Sequence, residues 1–159
     1  DEAWHNGLRL IQIRDKGGRT AQRLWLAEAV CRLAHNHGAL VVINDSEEIA
    51  HSVGADGIHL SAARLATCTA RPDFTWVGAS CHSAAEIARA GELGLDYALL
   101  GPVLATQTHP EAVGLGWEGF SNEITGNTLP VFALGGMQYE MLAEAQSYGA
   151  QGIALMRGW

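Results

Sequence analysis

Three short segments of the chain echo one another: "GADGIHL" at 54–60, "GLDYALL" at 94–100 and "GAQGIAL" at 149–155. Each follows a helix-like stretch, in turn "SEEIAHSV", "SAAEIARAGEL" and "YEMLAEAQSY". The glycine suits the left-handed stop of a helix. The apolar run behind it suits a strand buried on both faces, as in a parallel sheet. A repeated unit of helix, glycine and buried strand predicts successive β/α units, and so an α/β fold.

The rest of the chain follows the same rule. Strand candidates are "LRLIQIR" (8–14), "ALVVIN" (39–44), "GIHL" (57–60), "WVGAS" (76–80), "YALLGPV" (97–103), "PVFALGG" (130–136) and "GIALM" (152–156). A helix is expected from Ala21 to His37, with Thr20 as its N-cap and Gly38 as its stop. Ser83 and Glu86 have the spacing of a capping box for a helix ending near Gly94. Asn44-Asp45 offers another N-cap. Seven strands alternating with helices fit a (β/α)8 TIM barrel better than a doubly wound sheet. A barrel needs eight strands, so the first either lies upstream of Asp1 or is lacking in a variant barrel. Trp25 and Trp76 read as packing residues, and His5, His35, His37 and His51 as surface residues.

Bulk properties narrow the function. A chain of 159 residues, 48% hydrophobic and 17% charged, is that of a single globular domain, here taken as 1–159. A net charge of −7 argues against nucleic acid, which requires a basic patch. Small anions remain open to it through the local Arg14, Lys16, Arg19 cluster. Cys31, Cys68 and Cys81 lack paired spacing and read as reduced thiols of a cytoplasmic protein. No run approaches the roughly 20 apolar residues of a membrane span. No signal peptide is visible, although the chain opens mid-element at "DEAWHNG".

In a barrel the chemistry gathers where strands end. Those ends carry Gln12, Arg14 and Lys16; Asn44 and Asp45; His59 and Ser61; Ser80 and His82; Thr106, Thr108 and His109; Gly135 and Gly136; and Arg157. Gln12, Arg14 and Lys16 alternate, so an extended backbone projects all three from one face. An arginine fork beside a lysine point charge suits a pyrophosphate. Two glycines before a helix near Gln138 suit a phosphate at backbone amides. Asp45 alone is a weak magnesium ligand unless substrate phosphates complete the shell.

The order of "QIRDK" (12–16), "VINDS" (42–46), "ADGIHL" (55–60), "VGASCH" (77–82), "LDYALLGPVLATQT" (95–108) and "ALGGM" (133–137) resembles the thiamine phosphate synthase and TenI superfamily over nearly the whole chain. The resemblance implies a barrel whose first strand lies upstream. It also implies a Mg²⁺-dependent transfer: hydroxymethylpyrimidine pyrophosphate loses diphosphate through a pyrimidine carbocation as a thiazole phosphate attacks. Mapped by motif, Gln12, Arg14, Lys16 and Asn44 would hold the pyrophosphate, and Asp45 would ligate Mg²⁺. Ser80, Thr106, Thr108, Gly135 and Gly136 would serve the thiazole phosphate, and Arg14, Lys16 and His109 are the candidate catalytic groups.

Two departures from the family pattern bear on activity. Arg64 stands where family synthases carry a second acidic metal ligand, and His109 where they carry a lysine. The first weakens magnesium binding, and the second replaces a permanent charge by a ring ordinarily neutral at pH 7. The TenI tautomerase histidine is also missing, Pro102 occupying its place. "GPVLATQTHP", "GLGW", "ALGGM" and "MRGW" look most like barrels fused behind a Nudix hydrolase domain, although no Nudix box occurs in 1–159. The expected partners are therefore phosphorylated pyrimidine and thiazole compounds, with a fused Nudix domain and self-association left open. The alternatives are a barrel that binds such ligands without turnover, and a TenI-like reaction on a phosphorylated metabolite.

Overall fold

A computed structural model of the chain describes residues 2–15, 17, 19–105 and 113–156. Lys16, Thr106, Thr108, His109 and Arg157 lie outside these described residues. The chain divides into two compact units, one of residues 1–61 and 72–77, the other of residues 62–71 and 78–159.

The first unit runs α1 (Glu2–His5), β1 (Leu10–Ile13), α2 (Thr20–Asn36), β2 (Leu40–Asn44), α3 (Glu47–Val53) and β3 (Gly57–Leu60). β1, β2 and β3 pair in parallel, with Gln12 beside Val42 and Asn44 beside His59. Ala27, Cys31 and Ala34 recur at helical spacing and are buried with Val41 and Ile43. Such small side chains let a helix lie close against the strand that follows it.

The second unit runs α4 (Ala62–Thr67), β4 (Trp76–Cys81, its last four residues here), α5 (Ala84–Glu92), β5 (Tyr97–Leu100), α6 (Gly116–Ile124), β6 (Val131–Leu134), α7 (Leu142–Ser147) and β7 (Gly152–Ala154). A 3₁₀ turn at Tyr139–Met141 leads into α7. β4 pairs with β5, β5 with β6 and β6 with β7, all in parallel. β5 is buried at every position, and Phe120 of α6 has no exposed surface.

The repeat is realised as a single hydrogen bond made the same way each time. Gly54, Gly94 and Gly149 adopt φ of +64°, +70° and +92°. The next residue's N–H then donates back five residues: Ala55 to Ala50, Leu95 to Ala90, Ala150 to Ala145, each at 3.0 Å. The structure adds a fourth copy hidden in "HGAL", where Gly38 has φ +67° and Ala39 donates to Ala34 at 3.0 Å. Only glycine enters this left-handed region without a steric cost.

Several local expectations are corrected. Arg19, not Thr20, caps α2: it is extended, and its N–H donates to the Gln22 side chain at 3.2 Å. Ser46, not Asn44 or Asp45, caps α3 by accepting from the Ile49 N–H at 3.3 Å, because the Asp45 carboxylate is engaged elsewhere. Ser83 caps α5 as expected, but Glu86 takes the His82 N–H instead of closing the box. The strands are mostly shorter than their apolar runs. β5 stops at Leu100, because Val103 and Leu104 donate instead to the Leu134 and Gly135 carbonyls. Trp25 and Trp76 are not packing residues, being 71% and 38% exposed. His5, His35, His37 and His51 are exposed as expected. His35 pairs with Asp56 at 2.9 Å, His37 stacks on Trp4, and His51 stacks on Phe74.

Candidate active site

In the first unit the carboxyl ends of β1, β2 and β3 are joined by a polar relay. Gln12, half-buried on β1, donates through Nε2 to Asn44 Oδ1 at 3.0 Å. Asn44 closes β2 and donates through Nδ2 to Asp45 Oδ2 at 3.0 Å. The Ser61 N–H, just past β3, donates to Asp45 Oδ1 at 2.7 Å. Asp45 holds φ +57°, a conformation that a short polar side chain tolerates. Its carboxylate is therefore fixed from both oxygens, and its own N–H donates to the His59 carbonyl at 3.0 Å.

His59 belongs beneath this relay, not on an open rim. It is 0% exposed because β3 is buried along its whole length, and Ser61 is the residue that emerges. Burial pushes the ring down to about 4; the Asp45 carboxylate opposes the fall and the Arg14 guanidinium adds to it. Arg14 is exposed, one residue beyond β1. The backbone role of Ser61 has no signature in the sequence, since any residue but proline supplies an N–H.

This donor set offers a magnesium ion one carboxylate, that of Asp45. Among the described residues no three His, Cys, Asp or Glu side chains gather as a metal group. Magnesium usually keeps waters and binds through one or two carboxylates plus substrate phosphates. One immobilised carboxylate fits a substrate-bridged ion, though not an all-protein cage. Arg64 is exposed on α4.

In the second unit Ser80 is half-buried on β4, opposite Leu99 of β5. Gly135 and Gly136 follow β6 with φ of +96° and +71°. A Cβ at Gly135 would lie 2.7 Å from Pro102 Cα, and one at Gly136 2.7 Å from Leu104 Cβ. The close approach these glycines allow is thus to the segment 102–105, a packing demand in addition to any phosphate. The helix expected near Gln138 opens instead as the 3₁₀ turn.

Parallel β/α units with polar residues at the strands' carboxyl ends define a TIM-like α/β protein. The thiamine monophosphate synthase family description matches residues 1–159, and the chain belongs to that family. It is 36% identical to thiamine-phosphate synthase from Synechococcus sp. (strain WH7803), over 98% of this chain and 45% of that protein. It is 35% identical to a putative thiamine-phosphate synthase from Geobacter sulfurreducens, over 94% of this chain and 72% of that one. A thiamine phosphate pyrophosphorylase structure from Pyrococcus furiosus superposes with a TM-score of 0.80 at 28% identity, over 97% of this chain and 75% of that one. The chain thus spans less than half the length of the Synechococcus relative.

Proposed function

We propose that this chain, as one barrel domain, joins hydroxymethylpyrimidine pyrophosphate to thiazole phosphate. The bond between the pyrimidine methylene carbon and diphosphate oxygen breaks, a carbon–nitrogen bond to the thiazole forms, and diphosphate leaves. The observation that carries the reading is the Gln12–Asn44–Asp45 relay, which presents amide and carboxylate groups in fixed orientation at three strand ends. Fixed dipoles cost no reorganisation when charge develops on a leaving group. Arg14 and Lys16 would carry the diphosphate charge, and His109 is the third candidate catalytic group. Ser80, Thr106, Thr108 and the Gly135–Gly136 amides would receive the thiazole phosphate. Asp45 would hold Mg²⁺, which when bound neutralises the diphosphate.

The test is to supply both precursors with Mg²⁺ and assay thiamine phosphate. Product formation is expected from the wild-type chain. Asp45→Asn, which tolerates the same φ, should lower kcat/KM by about 100-fold or more while leaving the circular dichroism unchanged. A second reading, binding without turnover, is supported by Arg64, which stands where the family resemblance implies a second acidic metal ligand. No product, together with tight calorimetric binding of either precursor, would establish that reading and remove the first. The motif likeness of "GPVLATQTHP" and "GLGW" supports a Nudix hydrolase domain as a fused partner. Three free thiols support the cytoplasm as its compartment. Among the described residues no helix is long and apolar enough to cross a membrane.

A further inference from the structure

The segment that leaves β5, residues 101–104, is held almost entirely by backbone. Val103 and Leu104 donate to Leu134 and Gly135 at 2.8 and 3.1 Å. On another side Leu115 donates to Pro102 at 3.0 Å and Gly116 to Val103 at 2.8 Å. The Gly101 N–H donates to the Cys81 carbonyl at 3.2 Å, continuing the β4–β5 ladder by one bond. No side chain fits at 101, where a Cβ would fall 2.2 Å from the Leu134 carbonyl oxygen.

One side-chain hydrogen bond completes this arrangement. His82, directly after β4, places Nδ1 2.6 Å from the Gly101 carbonyl oxygen. A carbonyl only accepts, so Nδ1 carries the proton, and in the neutral ring Nε2 is left as an acceptor. The backbone of His82 is itself fixed, its N–H donating to Glu86 Oε2 at 2.5 Å beside the Ser83 cap of α5. Gly101 is thus gripped on both its N–H and its carbonyl by adjacent residues, Cys81 through its own carbonyl and His82 through its ring.

We propose that His82 is a positioning residue for the thiazole phosphate, setting the Gly101 peptide and the strand exit behind it relative to Ser80. This rests on the synthase reading above. Ser80 lies two residues before His82 on the same strand end, and Gly135 receives the Leu104 N–H of the exit that His82 anchors. A carbonyl lone pair has the wrong polarity for a phosphate, so holding the Gly101 oxygen on the imidazole keeps that acceptor engaged. The ring acts through the peptide and needs no contact with the substrate.

The experiment compares His82→Ala, His82→Asn and His82→Gln with wild type in steady-state kinetics and thermal unfolding. Asn carries an amide N–H near the position of Nδ1, whereas Gln carries its amide one carbon further out. His82→Ala should lower kcat/KM for thiazole phosphate about tenfold, the scale of one lost hydrogen bond, with KM for the pyrimidine diphosphate unchanged. His82→Asn should recover to within about threefold of wild type, and His82→Gln should not. Equal kinetics for His82→Ala and wild type would overturn the proposal. So would equal losses toward both substrates that track a fall in Tm. If the wild-type chain forms no thiamine phosphate, the synthase reading fails, and calorimetry with thiazole phosphate decides the role of His82. Binding about tenfold weaker in His82→Ala supports it there; equal affinity, or no wild-type binding, overturns it.

Discussion

His59 shows how one residue links the candidate site to stability. Its folded form resists protonation until about pH 4, whereas in an unfolded chain an ordinary histidine takes up its proton near 6.5. Above pH 6.5 both states are neutral and the residue contributes nothing to pH dependence. Between 6.5 and 4 only the unfolded chain gains the proton, so stability falls with falling pH by about 1.4 kcal/mol per pH unit. The loss reaches about 3 kcal/mol by pH 4. Urea unfolding of wild type and His59→Gln at pH 7 and pH 4.5 measures this, and the variant should show the smaller acid penalty. The motif "ADGIHL" announces a histidine in an apolar strand, but burial is decided by what packs on both faces, which the motif does not state. The sequence offers Asp45 as a candidate acid; its bond to the Ser61 N–H joins residues 16 apart and depends on the register of β2 and β3.

At the level of elements, the alternation of helix and strand was plain because each glycine stop sits at a fixed offset from a buried apolar run. The ends of the elements were less so. "YALLGPV" is apolar throughout, yet Pro102 and Val103 leave the β5 ladder, Val103 donating to the Leu134 carbonyl instead. Tertiary partners of this kind carry no local signal. The glycines at the β3 end of the repeat make two distinct demands. Gly54→Ala places a side chain at φ +64° in open space and should cost about 1 kcal/mol of conformational strain. Gly57→Ala would put a Cβ 1.9 Å from the Trp76 carbonyl oxygen. Backbone cannot swing aside as a side chain does, so a cost of about 3 kcal/mol or more is expected. Denaturant midpoints of the two variants, at equal m-value, separate the predictions.

Across the whole molecule the three cysteines report on the integrity of the fold. Cys31 and Cys81 are buried, whereas Cys68 is half-exposed. Burial, with Glu86 adding, pushes the Cys81 thiol up to about 12, and burial also raises Cys31, with Asp56 adding. The thiolate is the reactive form. A thiol reagent at pH 8 should therefore label one cysteine quickly in the native chain and all three in denaturant. Rapid native labelling of Cys81 would contradict the packing described for β4. The division of labour along each strand has a further consequence. The glycine hydrogen bonds that close the helices stand before the strands, while Gln12, Asn44, Asp45, Ser80 and Gly135 stand at or beyond their far ends. Helix closure and the candidate site are thus written at opposite ends of each repeat, so that one can change without reopening the other. A chain built this way is free to carry Arg64 or another side chain past its strand ends while keeping the glycine stops that shape its helices.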